Sequence, residues 1–308
     1  EVLAVGAADA SASALSASGS AVALASLPGR VDNSALPSFP PIRSQGDIGS
    51  CASFSSTYTV ATHMLGLVRG TNARSASDNS TKLSPKFIYS LVNEGQDAGS
   101  MITDNFDALI KFGAPSWQAW PYVGDATNSK NYLEWPLTAS VWREAAKNRL
   151  YQTGVVRNID TDTGLQNLKA MLANGYLLLF GTDIYGWTFT TFSNDPTTNL
   201  DNDLVGKKVC WKVMRDPSGH AMTIVGYDDN VWTDINRDGV VQAAEKGALK
   251  IANSWGTNWS DGDGGFVWIA YDALRDASQV TGVSNTGRAS GVYSPFYFDE
   301  VYWVSALE

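Results

Sequence analysis

Apolar positions recur at helical spacing through the first half of the chain and run as short apolar blocks through the second. After Ser50 the sequence loses its glycines and turns small and apolar at Ala52, Phe54, Val60, Ala61, Met64 and Leu65. That pattern predicts a helix entered at about Cys51 and ending near Gly66. Ser84-Pro85 supplies a cap and a first-turn proline for a second helix through Phe87, Ile88, Leu91 and Val92. A third is expected from Thr103-Asp104 through Phe106, Leu109 and Ile110, closed by Gly113, and a fourth from Ser140 through Val141, Trp142 and Ala145. A fifth runs from about Thr163 to Asn174 and stops at Gly175. Strands are expected at Tyr176–Asp183, Val209–Val213, Ala221–Tyr227, Leu249–Asn253, Gly265–Tyr271 and Phe296–Val304. Helices first and sheet afterwards is an α+β pattern.

Composition narrows the class. A chain of 308 residues with 44% hydrophobic content and 11 tryptophans can bury a large core. The formal charge of −9 disfavours nucleic acid and anionic membrane as partners. The longest apolar run, around Tyr176 to Phe180, is strand-sized and far short of a membrane span. Residues 1–26 differ from the rest: Ala, Ser and Gly dominate, and no basic segment precedes an apolar one, so the region does not read as an intact signal peptide. A flexible N-terminal extension is expected there, with a pro-segment remnant lying along a cleft as the alternative. The remaining 27–308 have the length for one two-lobed domain or two small ones, mainly helical over about 45–150 and mainly β over about 151–308.

The chemistry concentrates in three blocks. Gln45-Gly46-Asp47-Ile48-Gly49-Ser50-Cys51 ends on a cysteine at a predicted helix N-terminus, where unpaired backbone N–H groups and the helix dipole favour thiolate. Ser218-Gly219-His220 opens a predicted strand, and Ala252-Asn253-Ser254-Trp255-Gly256 closes another. Together they offer a nucleophile, a base, a group to orient the base and a donor for an oxyanion. Only two histidines exist. His63 lies twelve positions along the Cys51 helix, on the order of 18 Å away by helical rise, so it is read as structural and His220 as the base. Of the two cysteines, Cys210 is expected to be free, since a bridge to Cys51 would consume the nucleophile.

These blocks, in this order, resemble the papain-like cysteine peptidases, and the likeness covers roughly residues 27 to 308. Gln-x5-Cys resembles the family's oxyanion and nucleophile block, Ser218 to Tyr227 its histidine strand, and Ile251 to Trp259 its asparagine block. The resemblance implies a helical lobe facing a β-barrel-like lobe with the active cleft between them. Cys51 would come from the first lobe, and His220 and Asn253 from adjacent strands of the second. Asn253 would fix the His220 tautomer, Trp255 would cover the pair and border substrate, and the Gln45 amide would join the Cys51 N–H in holding the oxyanion. Gly99-Ser100 matches the family's glycine pair for substrate backbone, a plain turn being the other reading. Two positions depart from the pattern: Ile48 stands where a disulfide-bonded cysteine is usual, and Ala52 where a tryptophan is usual. Both change the cleft wall, so substrate preference does not carry over. The expected activity is that of a cysteine endopeptidase on protein or peptide substrates, with no cofactor in catalysis. A transpeptidase or acyl transferase with the same residues, and a catalytically silent peptide-binding module, are the rivals.

An independent motif lies between the His220 and Asn253 strands. Asp234, Asn236, Asp238, Gly239 and Glu245 fit the calcium-loop spacing D-x-N-x-D-G-x5-E, with the Val240 carbonyl and Gln242 through water completing the set. Flanking strands, in place of a helix pair, make a structural Ca²⁺ that pins an insertion the expectation. The nearby Asp261 and Asp263 are read as turn residues. An EF-hand-like insertion suggests a bacterial-type member of the family, secreted or extracytoplasmic.

Overall fold

A computed structural model of the chain describes residues 27–123, 128–291 and 296–306. The extension expected over residues 1–26 lies outside the described residues. One nine-stranded sheet organises the chain. Its strands are β1 (Arg30–Asp32), β2 (Gln152–Val156), β3 (Leu178–Asp183), β4 (Trp187–Thr191), β5 (Lys208–Val213), β6 (Gly219–Trp232), β7 (Lys246–Ala252), β8 (Phe266–Ala270) and β9 (Val301–Ser305). They pair in the order β2-β9-β3-β6-β7-β8-β5-β4, with β1 joined to β6. All pairs are antiparallel except β5 with β8.

Strand alternation divides the hydrophobic residues between two cores. Leu178, Phe180, Met222, Ile224 and Ile251 point into one, with Leu165, Leu168 and Leu172 of helix Asp162–Ala173 packed there. Leu177, Leu179, Val225, Ala252 and Val304 point into the other, against helices Pro85–Val92, Ile102–Lys111 and Ala139–Lys147. Both lobes therefore share strands, and side-chain period two builds each from opposite faces of the same ribbon.

The helix that begins at Cys51 is irregular. It is α over Cys51–Ser53, a wider π-helix over Phe54–Ala61, and α again over Thr62–Arg69. It does not stop at Gly66 as expected. There, an added Cβ would lie 2.9 Å from that of Ser38, so glycine permits close packing within the helix; the stop is Gly70 at φ 65°. Ser84 caps its helix through the Phe87 N–H as expected. The Phe296–Val304 strand is shorter than expected, because a 3₁₀ turn at Tyr297–Asp299 precedes β9.

Candidate active site

The loop from Gln45 to Cys51 is held from both ends. Gln45 N–H donates to the Ser254 carbonyl at 2.8 Å, which fastens the loop to the segment after Asn253. Lower down, Ser55 Oγ donates to the Ala221 carbonyl at 3.0 Å, one helical turn past Cys51 and one residue past His220. Those two ties bring the Cys51 helix end against the start of β6, and Cys51, His220 and Ala221 line one cavity.

Cys51 is half-buried and free. Ser50 occupies the cap position but makes no cap hydrogen bond; its hydroxyl pairs with Tyr122 Oη at 3.1 Å. The first-turn N–H groups are thus left for the thiol and for a ligand. Burial pushes the Cys51 thiol up, and the backbone N–H groups of Ala221, Ala52 and Cys51 pull against that shift. Cys210 is wholly buried, its Sγ set 3.4 Å from the Lys212 carbonyl, and burial pushes it up to about 12. The two sulfurs sit in unlike surroundings and form no bridge.

His220 is buried, and burial lowers its pKa to about 4, opposed by the hydrogen bond to Asn253. His220 Nε2 lies 2.8 Å from Asn253 Oδ1, and the Ser254 N–H donates to the same oxygen at 2.7 Å. A backbone N–H can only donate, so that atom of Asn253 must be oxygen. It follows that Nε2 of neutral His220 carries the proton and Nδ1 is the basic nitrogen. Asn253 Nδ2 is buried without a partner, so the side chain bonds through its oxygen. Trp255 stacks on His220 with ring centroids 4.4 Å apart and 31° between planes, and is itself edged by Trp259.

Gln45 is buried. Its Nε2 donates to the Ile48 carbonyl at 2.8 Å, and its Oε1 accepts from Ser254 Oγ at 2.6 Å. One N–H of Nε2 is thus committed to Ile48 and one is left over; Gln45 is not among the residues that line the cavity. Tyr122 Oη donates to the Gln45 carbonyl at 2.7 Å. Ser254 and Tyr122 are thus site residues that sequence reasoning missed. Ser254 was in plain view beside Asn253; Tyr122 carried no signal.

Gly99 and Ser100 line the cavity with Cys51 and His220, whose volume is about 520 Å³. Gly99 sits at φ 86°, a conformation that favours glycine. Trp255 is not among the lining residues; it lies against His220 instead. His63 is wholly buried, hydrogen-bonded to Ser38 Oγ at 3.1 Å and the Gly175 carbonyl at 2.9 Å, with its pKa lowered by burial to about 4. It is not among the residues that line the cavity.

The loop from Asp234 to Glu245 uses its oxygens internally. Asp234 accepts the N–H groups of Asp238 and Gly239, Asn236 Oδ1 accepts that of Asp238, and Asp238 accepts that of Val240. Gly239 makes the sharp turn at φ 72°. Gln242 Oε1 accepts the Thr281 N–H. Glu245 is buried and turned inward, accepting from Trp232 Nε1, Ile235 N–H and Gln242 N–H. The donor types suit calcium, yet among the described residues no three His, Cys, Asp or Glu side chains gather around one point. Asp261 and Asp263 pair with Lys208 and Lys207.

Comparison with known proteins gives this arrangement a family. The model for the papain family cysteine proteases matches residues 27–286. Cathepsin K of Gallus gallus is 28% identical over 253 residues, covering 80% of this chain; the chain spans 58% of that relative's length. Among solved structures, xylellain, a cysteine protease from Xylella fastidiosa, aligns over 92% of this chain and 88% of its own with a TM-score of 0.54 at 21% identity. The bromelain protease from Ananas comosus, in complex with the E64 inhibitor, aligns over 92% of this chain and all of its own with a TM-score of 0.53 at 16% identity. The fold is the papain-like α+β fold, and the chain belongs to the papain family of cysteine proteases.

Proposed function

We propose that the chain is a cysteine endopeptidase that cuts peptide bonds through a thioester acyl-enzyme. The observation that carries this reading is the double acceptance by Asn253 Oδ1, which leaves Nδ1 as the basic nitrogen of His220, a residue that lines one cavity with Cys51. His220 Nδ1 takes the proton of Cys51 Sγ, and the thiolate attacks the scissile carbonyl carbon. Proton transfer within the pair creates opposite charges side by side, so their attraction offsets the burial that disfavours either ion alone. The oxyanion is held by the Cys51 N–H and the free N–H of Gln45 Nε2. Collapse breaks the C–N bond, and His220 returns the proton to the leaving amine. His220 then takes a proton from water, whose oxygen attacks the thioester and releases the acid and Cys51.

The test is cleavage of fluorogenic peptides by the wild type and Cys51→Ala, together with labelling by an epoxide inhibitor. Cleavage lost in the variant, with label on Cys51 and none on Cys210, is the expected result. Equal slow labelling of both cysteines would remove the activated-thiol claim. Adding an amine nucleophile separates hydrolysis from acyl transfer. The Asp234–Glu245 loop enters this reading as a structural calcium site, held by Asp234, Asn236, Asp238 and the Val240 carbonyl. Glu245, already accepting three N–H bonds, has little capacity left for the ion and would serve mainly to brace the loop. An extracytoplasmic location, where calcium is plentiful, accords with it. Among the described residues no helix is long and apolar enough to cross a membrane.

A further inference from the structure

The cavity beside Cys51 and His220 combines aromatic walls with unneutralised acid. Tyr297 and Tyr302 line it, together with the apolar Val92 and Ile102. The Tyr297 ring lies over Gly181, where an added Cβ would come within 2.8 Å of a ring carbon, so glycine in β3 makes room for this wall. Its hydroxyl donates to Asp183 Oδ1 at 2.5 Å, and the other oxygen of that buried carboxylate accepts the Asp216 N–H at 3.1 Å. Tyr302 Oη donates to Glu300 at 2.7 Å. A phenol donating to a carboxylate gains electron density, which deepens the negative face that attracts cations.

Two further acids, Glu94 and Asp104, line the same cavity, and no lysine or arginine does. Glu300 is balanced by Arg157 at 3.1 Å; Glu94 and Asp104 have no ion-pair partner among the described residues. Glu94 takes the left-handed position that follows the Asn93 cap of helix Pro85–Val92, at φ 55°. Asn93 builds that corner: its Oδ1 accepts the Gly95 N–H at 2.9 Å and its Nδ2 donates to the Tyr132 carbonyl at 2.8 Å.

We propose that this cavity receives an arginine or lysine side chain of the peptide substrate, its stem against Tyr297, Tyr302 and Ile102 and its charge near Glu94 and Asp104. This inference rests on the peptidase reading and adds the substrate class. A chain of net charge −9 also draws cationic peptides toward it.

The experiment uses a library of fluorogenic peptides in which each residue flanking the scissile bond is varied in turn. Arginine is compared with its neutral isostere citrulline, and lysine with norleucine. At one position the wild type is expected to prefer the cation by about tenfold or more in kcat/KM, a ratio that falls in high salt. In the double variant Glu94→Gln, Asp104→Asn that ratio is expected to fall below about threefold. A ratio near one at every position in the wild type, or one unmoved by the double variant, overturns the inference. Neutral peptides cut without charge preference remove it and leave the peptidase reading standing. If no peptide is cut and Cys51 does not take the epoxide, the peptidase reading fails and this inference with it.

Discussion

Asp97 accepts the backbone N–H of Gly49 at 2.8 Å, joining the nucleophile loop to the loop that carries Gly99 and Ser100. The same carboxylate oxygen accepts Tyr89 Oη at 2.7 Å, and Tyr89 Oη accepts the Gly99 N–H at 3.3 Å. This polar clasp sits one residue from buried Ile48. It sets the spacing between Cys51 and the cavity edge formed by Gly99 and Ser100. Asp97→Ala should raise KM severalfold, with a smaller effect on kcat and a loss of about 1–3 kcal/mol in stability, from two hydrogen bonds. Asp97→Asn, which still offers an oxygen to Gly49, should recover most of both. Steady-state kinetics with a denaturant melt decide it; equal KM in all three proteins would show that the clasp does not position substrate.

Asn253 has a sharper signature. Asn253→Ala removes the acceptor that fixes the His220 tautomer, and kcat should fall by about a hundredfold, the scale of loss when a catalytic group is misplaced. Asn253→Asp keeps both accepted bonds and removes the unpartnered Nδ2. Its negative charge should raise the His220 pKa, moving the acid limb of the kcat/KM profile upward in pH while activity persists. A profile identical to wild type in the aspartate variant would contradict the assigned bond.

Ser254 acts through Gln45. Its hydroxyl, 2.6 Å from Gln45 Oε1, fixes which way the amide faces. Gln45→Ala should lower kcat by about a hundredfold or more, as loss of one oxyanion donor does. Ser254→Ala leaves the donor present but less firmly oriented, so a fall of about tenfold is expected, with KM little changed. If Ser254→Ala matches wild type, the Ile48 carbonyl alone suffices to hold the amide.

These residues also show what was legible beforehand. Cys51, His220, Asn253 and Gln45 stood out because the three blocks that carry them resemble the papain-like pattern in residue type and in order, and the strands carrying His220 and preceding Asn253 because of continuous apolar runs. The Asp97–Tyr89–Gly49 clasp did not stand out: it depends on two loops meeting across 48 residues of sequence. The same holds for Tyr297 over Gly181, where one residue's missing side chain is explained only by another's ring. Strands β1, β2 and β4 were missed as well. Each is short and lies at or off the edge of the sheet, so tertiary pairing decides its state more than its own pattern does. Gly66 misled because glycine in a helix signals either a stop or a close contact, and only the approach of Ser38 tells which.

Calcium should raise the melting temperature if the Asp234–Glu245 loop binds it. At a hundredfold excess over Kd a single native-state site adds about 2.7 kcal/mol, or several degrees in Tm for a chain of this size. Asp234→Ala should abolish the shift. A Tm identical in calcium and in chelator would mean that the N–H bonds within the loop already satisfy its oxygens.

Acid should destabilise the protein through its two buried histidines. Burial lowers both His63 and His220 to about 4, below the usual histidine value of 6.5. Between those pH values the unfolded chain binds protons that the folded chain refuses, so stability falls as pH drops from about 6.5 toward 4 and is fully present above 6.5. Each histidine contributes at most roughly 3 kcal/mol over that window, at 1.36 kcal/mol per unit. His63 isolates the effect because it lies outside the catalytic cavity. His63→Gln retains an N–H for the Gly175 carbonyl but cannot take a charge in this range. The variant should be less stable than wild type at pH 7, having lost the fit of the imidazole, yet its stability should decline less between pH 6.5 and 4.5. Parallel declines in urea melts of the two proteins would place the acid sensitivity in other groups.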